Sequence, residues 1–286
     1  MDNLKAKKRH PEEIAVYTAI YVCAAFSVLL LLGIIIYVFA KGARRVNWAF
    51  LTGVTSILHG TVGIAGNILN TLIIILLTMI ITTPIGVGAA IYLNEYAKPG
   101  KLVTVIIFAT ETLAGIPSII FGLFGMLFFG QLCHMGYSLL TGSLTLTLMV
   151  LPLVTRNTQE ALKTVPYSFR TGAVGLGAGK WYTIRTILLP SAMPGIVTGV
   201  ILAIGRIIGE SAALLFTAGS AHLLPKTFNA FLEKIFHSGG TLTIQLYLSA
   251  SKGEFEVAFG IAVVLLVIVL LINFGTKRLA KKLEKH

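Results

Sequence analysis

Aspartate is almost missing from this chain of 286 residues: Asp2 stands alone, in a basic N-terminal stretch. A Ser-His-Asp triad, an aspartate-rich metal site and the Walker B aspartate of an ATPase are therefore excluded or nearly so. Cysteine is scarce as well. Cys23 and Cys133 lie in or beside apolar stretches, 110 positions apart, with no CxxC or His/Cys cluster. Neither a zinc site nor a disulfide framework can be read from them, and both are expected as small buried hydrophobes. The histidines (His10, His59, His134, His222, His237 and His286) are never paired at ligand spacing. A nucleotide site is missing too. The nearest approach to a phosphate-binding loop is Gly179-Lys180-Trp181, but Val174 stands where its first glycine belongs and Trp181 where Ser or Thr would hold magnesium. Gly175-x-Gly177 and Gly86-x-Gly88 lack the third glycine of a dinucleotide fingerprint. No enzyme, cofactor or metal site is expected. Charge of any kind is low, at 12% of residues, less than a dissolved domain needs.

Long apolar runs are what the chain has instead. It is 56% hydrophobic, and its apolar residues cluster into about six segments, near 14–40, 68–93, 103–130, 138–155, 192–218 and 256–275. Each is long enough to cross a hydrocarbon core of about 30 Å as a helix, and a helix satisfies its own backbone in lipid. The first run is too long for a secretory signal and has no evident small-residue cleavage pattern, so it is read as a retained span. The expected fold is an all-α integral membrane protein.

Net charge is +12. A nucleic-acid partner is not needed to explain it, because the cations gather at span ends. With the N-terminus placed in the cytoplasm, sixteen of the twenty-three lysines and arginines fall inside: Lys5, Lys7, Lys8 and Arg9, Lys98 and Lys101, five between Arg156 and Arg185, and five from Lys277 on. Six fall outside (Lys41, Arg44, Arg45, Lys226, Lys234 and Lys252), and Arg206 lies within a span. This asymmetry predicts both termini inside and a 160–190 loop inside. The organisation expected is a basic tail over 1–13, a first span and outer loop over 14–67, a five-span body over 68–275 with an outer loop at 219–255, and a basic tail over 276–286.

Span 2 contains Pro84 and span 3 contains Gly115-Ile116-Pro117, positions where a helix can kink or open. The 160–190 loop is polar and glycine-rich. Glu160 to Arg170 places Ala161, Leu162, Val165 and Phe169 on one helical face. Gly172, Gly175, Gly177 and Gly179 permit a tight turn, and Trp181, Ile184 and Leu188 form a second apolar stripe that Pro190 ends. Two such helices either lie on the inner leaflet or insert into a groove on a partner.

Two ionisable groups fall inside span 5. Arg206 and Glu210 are i, i+4 and are expected to share a face. A charge at the bilayer centre costs about 2.5–3.5 kcal/mol, and arginine cannot neutralise. It needs a carboxylate, water or an anion, and its fork fits phosphate oxygens. Glu210 is expected to hold Arg206 while the pathway is empty. Glu111, before the Gly115-Ile116-Pro117 break, is a further carboxylate expected in the pathway. Gly195, Gly199 and Ala203 form a small-residue face for close helix approach.

The spacing Gly177-x9-Ile187-x-Leu189-Pro190 resembles the cytoplasmic coupling loop of ABC importer permeases, usually E-A-A-x3-G-x9-I-x-L-P. Thr171, Gly172 and Ala173 occupy the three leading positions, so Thr171 and Gly172 replace the usual Glu and Ala. Five further segments look like phosphate importer (Pst) permeases of the A type, PstA: 84–97, 113–123, 156–166, 176–181 (ending at Trp181) and 205–218. The resemblance implies the MetI-like permease architecture in a prokaryotic cytoplasmic membrane. It also implies a second, PstC-like permease, a homodimeric PstB-like ATPase docked on Thr171, Gly172, Ala173, Gly177, Trp181, Ile187, Leu189 and Pro190, and an extracytoplasmic PstS-like phosphate-binding protein. Two readings stay open beside phosphate import: an ABC permease for another oxyanion or small solute, and an ion-coupled secondary anion transporter with Glu111 and Glu210 as protonation sites.

Overall fold

The computed structural model describes residues 11–56, 61–225 and 227–283. Lys5, Lys7, Lys8, Arg9, Lys226 and Lys285, three of the histidines (His10, His59 and His286) and Asp2 lie outside the described residues, and the side chains of Lys281 and Lys282 are likewise not described.

The chain opens with α1 (Pro11–Gly42), a short α2 (Trp48–Thr52) and a hairpin of β1 (Val54–Ser56) and β2 (Thr61–Ile64). Then come α3 (Ala65–Ile91), α4 (Lys101–Gly115), α5 (Ser118–Gly125) and α6 (Leu139–Thr164). After them run α7 (Tyr167–Gly175), α8 (Lys180–Thr183), α9 (Leu189–Gly209), α10 (Ala212–Thr217), α11 (Phe228–Glu233), α12 (Leu242–Ser251) and α13 (Phe255–Leu283). Among the described residues, five helical stretches are long and apolar enough to cross a membrane, and α4 with α5 makes a sixth if that bent pair is one span.

The bundle is built around α6. Its apolar side (Leu146, Met149, Val150 and Val154) is fully buried, packed with Ile73 and Ile74 of α3, Phe121 of α5, Ala203 and Ile207 of α9 and Leu214 of α10. Its hydroxyls are buried too. Those of Ser143, Thr145 and Thr147 each donate to the carbonyl four residues back, so these polar side chains sit at the helix contact with their donors satisfied, whereas the buried Thr158 hydroxyl has no partner among the described residues. The expected small-residue face of α9 meets α6: a Cβ on Gly199 would stand 2.7 Å from Asn157 Cβ, and Ala203 has no exposed surface. The α3 backbone approaches as closely at Gly86, where a Cβ would stand 2.9 Å from Val154 Cγ1.

Contacts sort the connections to two ends of the bundle. At one end, Asn67 and Asn70 at the start of α3 donate to Gly240 O, and Asn70 also donates to Ala221 O. Ser138 and Leu139 amides donate to Thr217 O and His237 O. Phe50, Ile64, Leu242 and Ile261 close a small apolar cluster over that end. At the other end the 92–100 connection meets the 164–188 segment.

Several expectations are corrected. The third span is two helices, α4 and α5, bent by 103° at Ile116-Pro117. Pro117 both lacks a donor and drives Ile116 to an extended conformation. By contrast α3 runs through Pro84 unbroken. The fifth span does not reach 218: α9 stops at Gly209, Glu210 is extended, and α10 starts anew. Cys23 and Cys133 are exposed on the isolated chain, not buried, because α1 packs on α13 along one edge only and the turn after α5 lies at the surface. The β-hairpin was not expected from the sequence.

Candidate functional site

Two regions carry the residues singled out in the sequence. The first is the loop between α6 and α9. Glu160 to Thr164 belongs to α6, and the first amphipathic helix breaks at Val165-Pro166, since a residue before proline leaves the helical region. Ala161, Leu162 and Val165 are buried in a cluster with Ile184, Leu188, Ala192 and Ile196, while Phe169 lies beyond the break and is exposed. The α7 helix buries only Ala173. Its other apolar side chains (Tyr167, Phe169 and Val174) are exposed, and Leu176, at the tip, is 91% exposed.

The tip is a helical C-cap turn. The Leu176 amide donates to Gly172 O, Gly177 to Val174 O and Ala178 to Ala173 O. Gly177 has φ +79°, a conformation that side-chain-bearing residues avoid. Of the four loop glycines it is the one that needs to be glycine for its backbone. Thr171, where the family has Glu, turns its hydroxyl back onto Ser168 O and stays exposed. Pro190 does not stop the second helix. A π turn at Ile184–Leu188 precedes it, Pro190 falls in the first turn of α9, and the helix runs from Lys180 to Gly209. A widened turn of this kind accommodates an interrupted hydrogen-bond ladder. Trp181 does not join the stripe of Ile184 and Leu188, which are buried; it is exposed beside Tyr182. Ile187 and Leu189 are half-buried against the same cluster. The loop therefore presents a knob of exposed aromatic and aliphatic side chains held on a rigid turn. Burying such a patch is favourable only against a partner or a membrane surface.

The second region is the break after α9. Arg206 is in the last turn of that helix rather than mid-span. There the helix dipole favours a cation. It is exposed, and no hydrogen bond or ion pair reaches it among the described residues. The expected Arg206–Glu210 latch is not formed, because the helix ends between the two. Glu210 instead holds the break: its Oε1 accepts from the Ala213 amide at 3.0 Å and its carbonyl accepts from Thr243 Oγ1 at 2.8 Å. Around Arg206, positions Thr198, Leu202, Gly205 and Gly209 are also exposed, so one whole side of α9 is uncovered. Glu111 is elsewhere. Its Oε1 lies 3.7 Å from Arg156 Nη2, and Arg156 Nε lies 3.8 Å from Glu160. All three are more than half exposed, so this chain of charges contributes little to stability.

A pair not singled out in the sequence joins the loop to α3. Arg170 Nη2 and Nε donate to Glu95 at 2.8 and 3.2 Å. Its Nη1 and Nη2 also donate to Val165 O and Leu162 O, both at 3.0 Å. Glu95 lies in a π turn, Tyr92–Tyr96, that ends α3. No local sequence signal links these residues, which are 75 positions apart.

The family profile described as "Binding-protein-dependent transport system inner membrane component" matches residues 82–286. A probable ABC transporter permease protein, YqgI, of Bacillus subtilis (strain 168) is 36% identical over 273 residues, which is 92% of this chain and 93% of that protein. The phosphate transport system permease protein PstA of Xylella fastidiosa (strain Temecula1) is 35% identical over 246 residues, 84% of this chain and 82% of that protein. Among solved structures, a bacterial alginate ABC transporter, in complex with a periplasmic protein bound to alginate pentasaccharide, superposes with a TM-score of 0.71. It is 14% identical and covers 96% of both chains. The inward-facing methionine ABC transporter MetNI superposes at 0.58, with 21% identity over 77% of this chain and 94% of that one. At those identities the two structures establish the fold. This chain belongs to the binding-protein-dependent transport system inner membrane components, the multi-pass permeases of ABC importers, and within that family it resembles the PstA type.

Proposed function

We propose that this chain is one of two permease subunits of an ATP-driven importer of inorganic phosphate. The observation that carries the anion reading is Arg206, a guanidinium with no partner among the described residues, on the uncovered side of a helix that carries no other charge. Lipid is a poor neighbour for it. A second permease facing that side of α9 would enclose a pathway between the subunits, with the arginine fork turned toward a passing oxyanion. Support for phosphate comes from relatives carrying the PstA name at 32–35% identity. The other partners follow from the same reading. The knob formed by Tyr167, Phe169, Val174, Leu176 and Trp181 docks on a cytoplasmic ATPase, with Thr171, Gly172 and Ala173 on the docking helix and Gly177 setting its turn. Ile187, Leu189 and Pro190 anchor the knob to α9. An extracytoplasmic phosphate-binding protein meets the opposite end, at 219–255 and the first outer loop. Passage requires that the anion be held weakly enough to leave. A lone arginine with its carboxylate neighbour turned away meets that need better than a closed basic cage.

Arg206→Gln tests the assignment. Hydrogen bonds to charged groups contribute about 1.5–3 kcal/mol, so phosphate uptake by the assembled complex should fall about tenfold or more while assembly persists. Uptake at the unmodified rate would remove Arg206 from the pathway.

A further inference from the structure

The α7 helix is poorly anchored for an element that passes on a mechanical stroke. It buries one side chain, Ala173. Apolar packing therefore does little to make it follow the rest of the bundle. What does reach across is Arg170, whose residue neighbours on α7 point outward. Its donors are divided between the ends of two elements. Nε and Nη2 grip Glu95 at the end of α3, while Nη1 and Nη2 take the Val165 and Leu162 carbonyls, which the end of α6 leaves without helical partners. The pair is well shielded: the side chains of Arg170 and Glu95 are 19% and 9% exposed. Asn94 Nδ2 donates to Glu95 Oε1 at 2.7 Å and helps fix the carboxylate. Lys180, on the far side of the Gly177 turn, places its ammonium 4.6 Å from the centre of the Tyr96 ring. Both helices flanking the turn are thus tied to the same π turn.

We propose that Arg170 and Glu95 are the positioning pair that makes the docking helix and α3 move as one, so that motion of a docked ATPase is delivered to α3 and not absorbed by the loop. The inference rests on the docking of this loop proposed above. Because α3 packs along α6 at Gly86, a displacement entering at Glu95 is carried into the centre of the bundle. The requirement is geometric as well as electrostatic. One planar fork serves a carboxylate and two carbonyls, and a lysine ammonium at the same place cannot reach all three.

The test uses the assembled transporter with its ATPase, in a background where Cys23 and Cys133 are Ser, spin-labelled at Ser168→Cys on α7 and Lys98→Cys beyond the π turn. Distances are read without nucleotide and with trapped ATP, and ATP hydrolysed per solute moved is measured on the unlabelled complex. With Arg170 present, the 168–98 distance should stay narrow in both states. Arg170→Lys and Glu95→Gln should each broaden it in the ATP state and raise ATP consumed per solute about tenfold, in proportion to the loss of a charged, bidentate contact, with the ATPase still bound. A variant complex with the narrow distribution and the original stoichiometry would overturn the pair's role while leaving docking intact. If the ATPase fails to bind the unmodified permease, or label mobility at 168 ignores the ATPase, the docking reading falls and this inference falls with it.

Discussion

Arg170 and Arg206 are both arginines near a helix end, and they are used in opposite ways. Arg170 uses Nε and both terminal nitrogens inside the fold, whereas Arg206 is exposed and its donors have no partner among the described residues. The sequence separated Arg206 readily, because a cation inside an apolar run stands out. Arg170 read as one inner-side cation among many, since its meaning depends on Glu95 and on a break at Pro166 that frees two carbonyls. The neighbour expected for Glu210 is not the one it has: helical i, i+4 spacing holds only while the helix continues, and it ends at Gly209. At Gly177, φ +79° makes any other residue costly by about 1–2 kcal/mol. Gly177→Val should weaken ATPase co-purification severalfold while leaving the membrane bundle folded, whereas the same change at Gly172, which is helical and has open space around it, should be milder. Asn70→Ala removes a buried amide whose donors hold Ala221 O and Gly240 O, and with them the segment they belong to, against α3. It should cost about 1–3 kcal/mol, read as a lower thermal unfolding midpoint and faster proteolysis within that segment.

Elements were legible in proportion to how much apolar length they carry. The apolar runs located α1, α3, α6, α9 and α13 with ends displaced by several residues, because capping and the π turns shift the boundaries without changing composition. Breaks were legible only where proline marks them. Gly115-Ile116-Pro117 opens the chain between α4 and α5, but the break between α9 and α10 is made by Glu210 capping the Ala213 amide, which reads in sequence as a charge in a span. The two breaks are related in space: α5 and α10 pack so closely that a Cβ on Gly122 would stand 2.8 Å from Ala213 Cα. Gly122→Val should force these half-spans apart and cost about 1–3 kcal/mol, seen as a lowered melting temperature of the complex in detergent. In the segment after α11, Lys234 is buried with its ammonium on Leu223 O, and burial lowers its pKa below the ordinary 10.5. The unfolded chain then binds the proton more readily than the folded one, between the folded pKa and 10.5. Stability should rise with pH across that alkaline window, and Lys234→Met should abolish the slope in thermal unfolding.

At the scale of the whole molecule, composition alone announced a multi-pass membrane protein, and the Gly177–Pro190 spacing announced its class. What composition does not specify is a chain with faces left open. α1 is exposed along its membrane-length window and α4 buries no residue, as expected of elements that meet lipid or a second permease. Contacts sort the described connections to two ends of the bundle, and from the asymmetry of lysine and arginine we propose that the end carrying the 160–190 loop faces the cytoplasm and the end carrying 219–255 the exterior. A single cysteine at Leu176 should be labelled by an impermeant maleimide from the inner side only, and one at Ser251 from the outer side only. The reverse pattern would invert the account. The most direct test of the central claim is solute uptake into proteoliposomes carrying this chain with its candidate permease partner and ATPase, with ATP and the binding protein each supplied or withheld. The account predicts phosphate uptake that needs both and is not displaced by sulfate or molybdate. Uptake driven by an ion gradient without ATP, or ATP-dependent uptake of another solute in preference to phosphate, would contradict it.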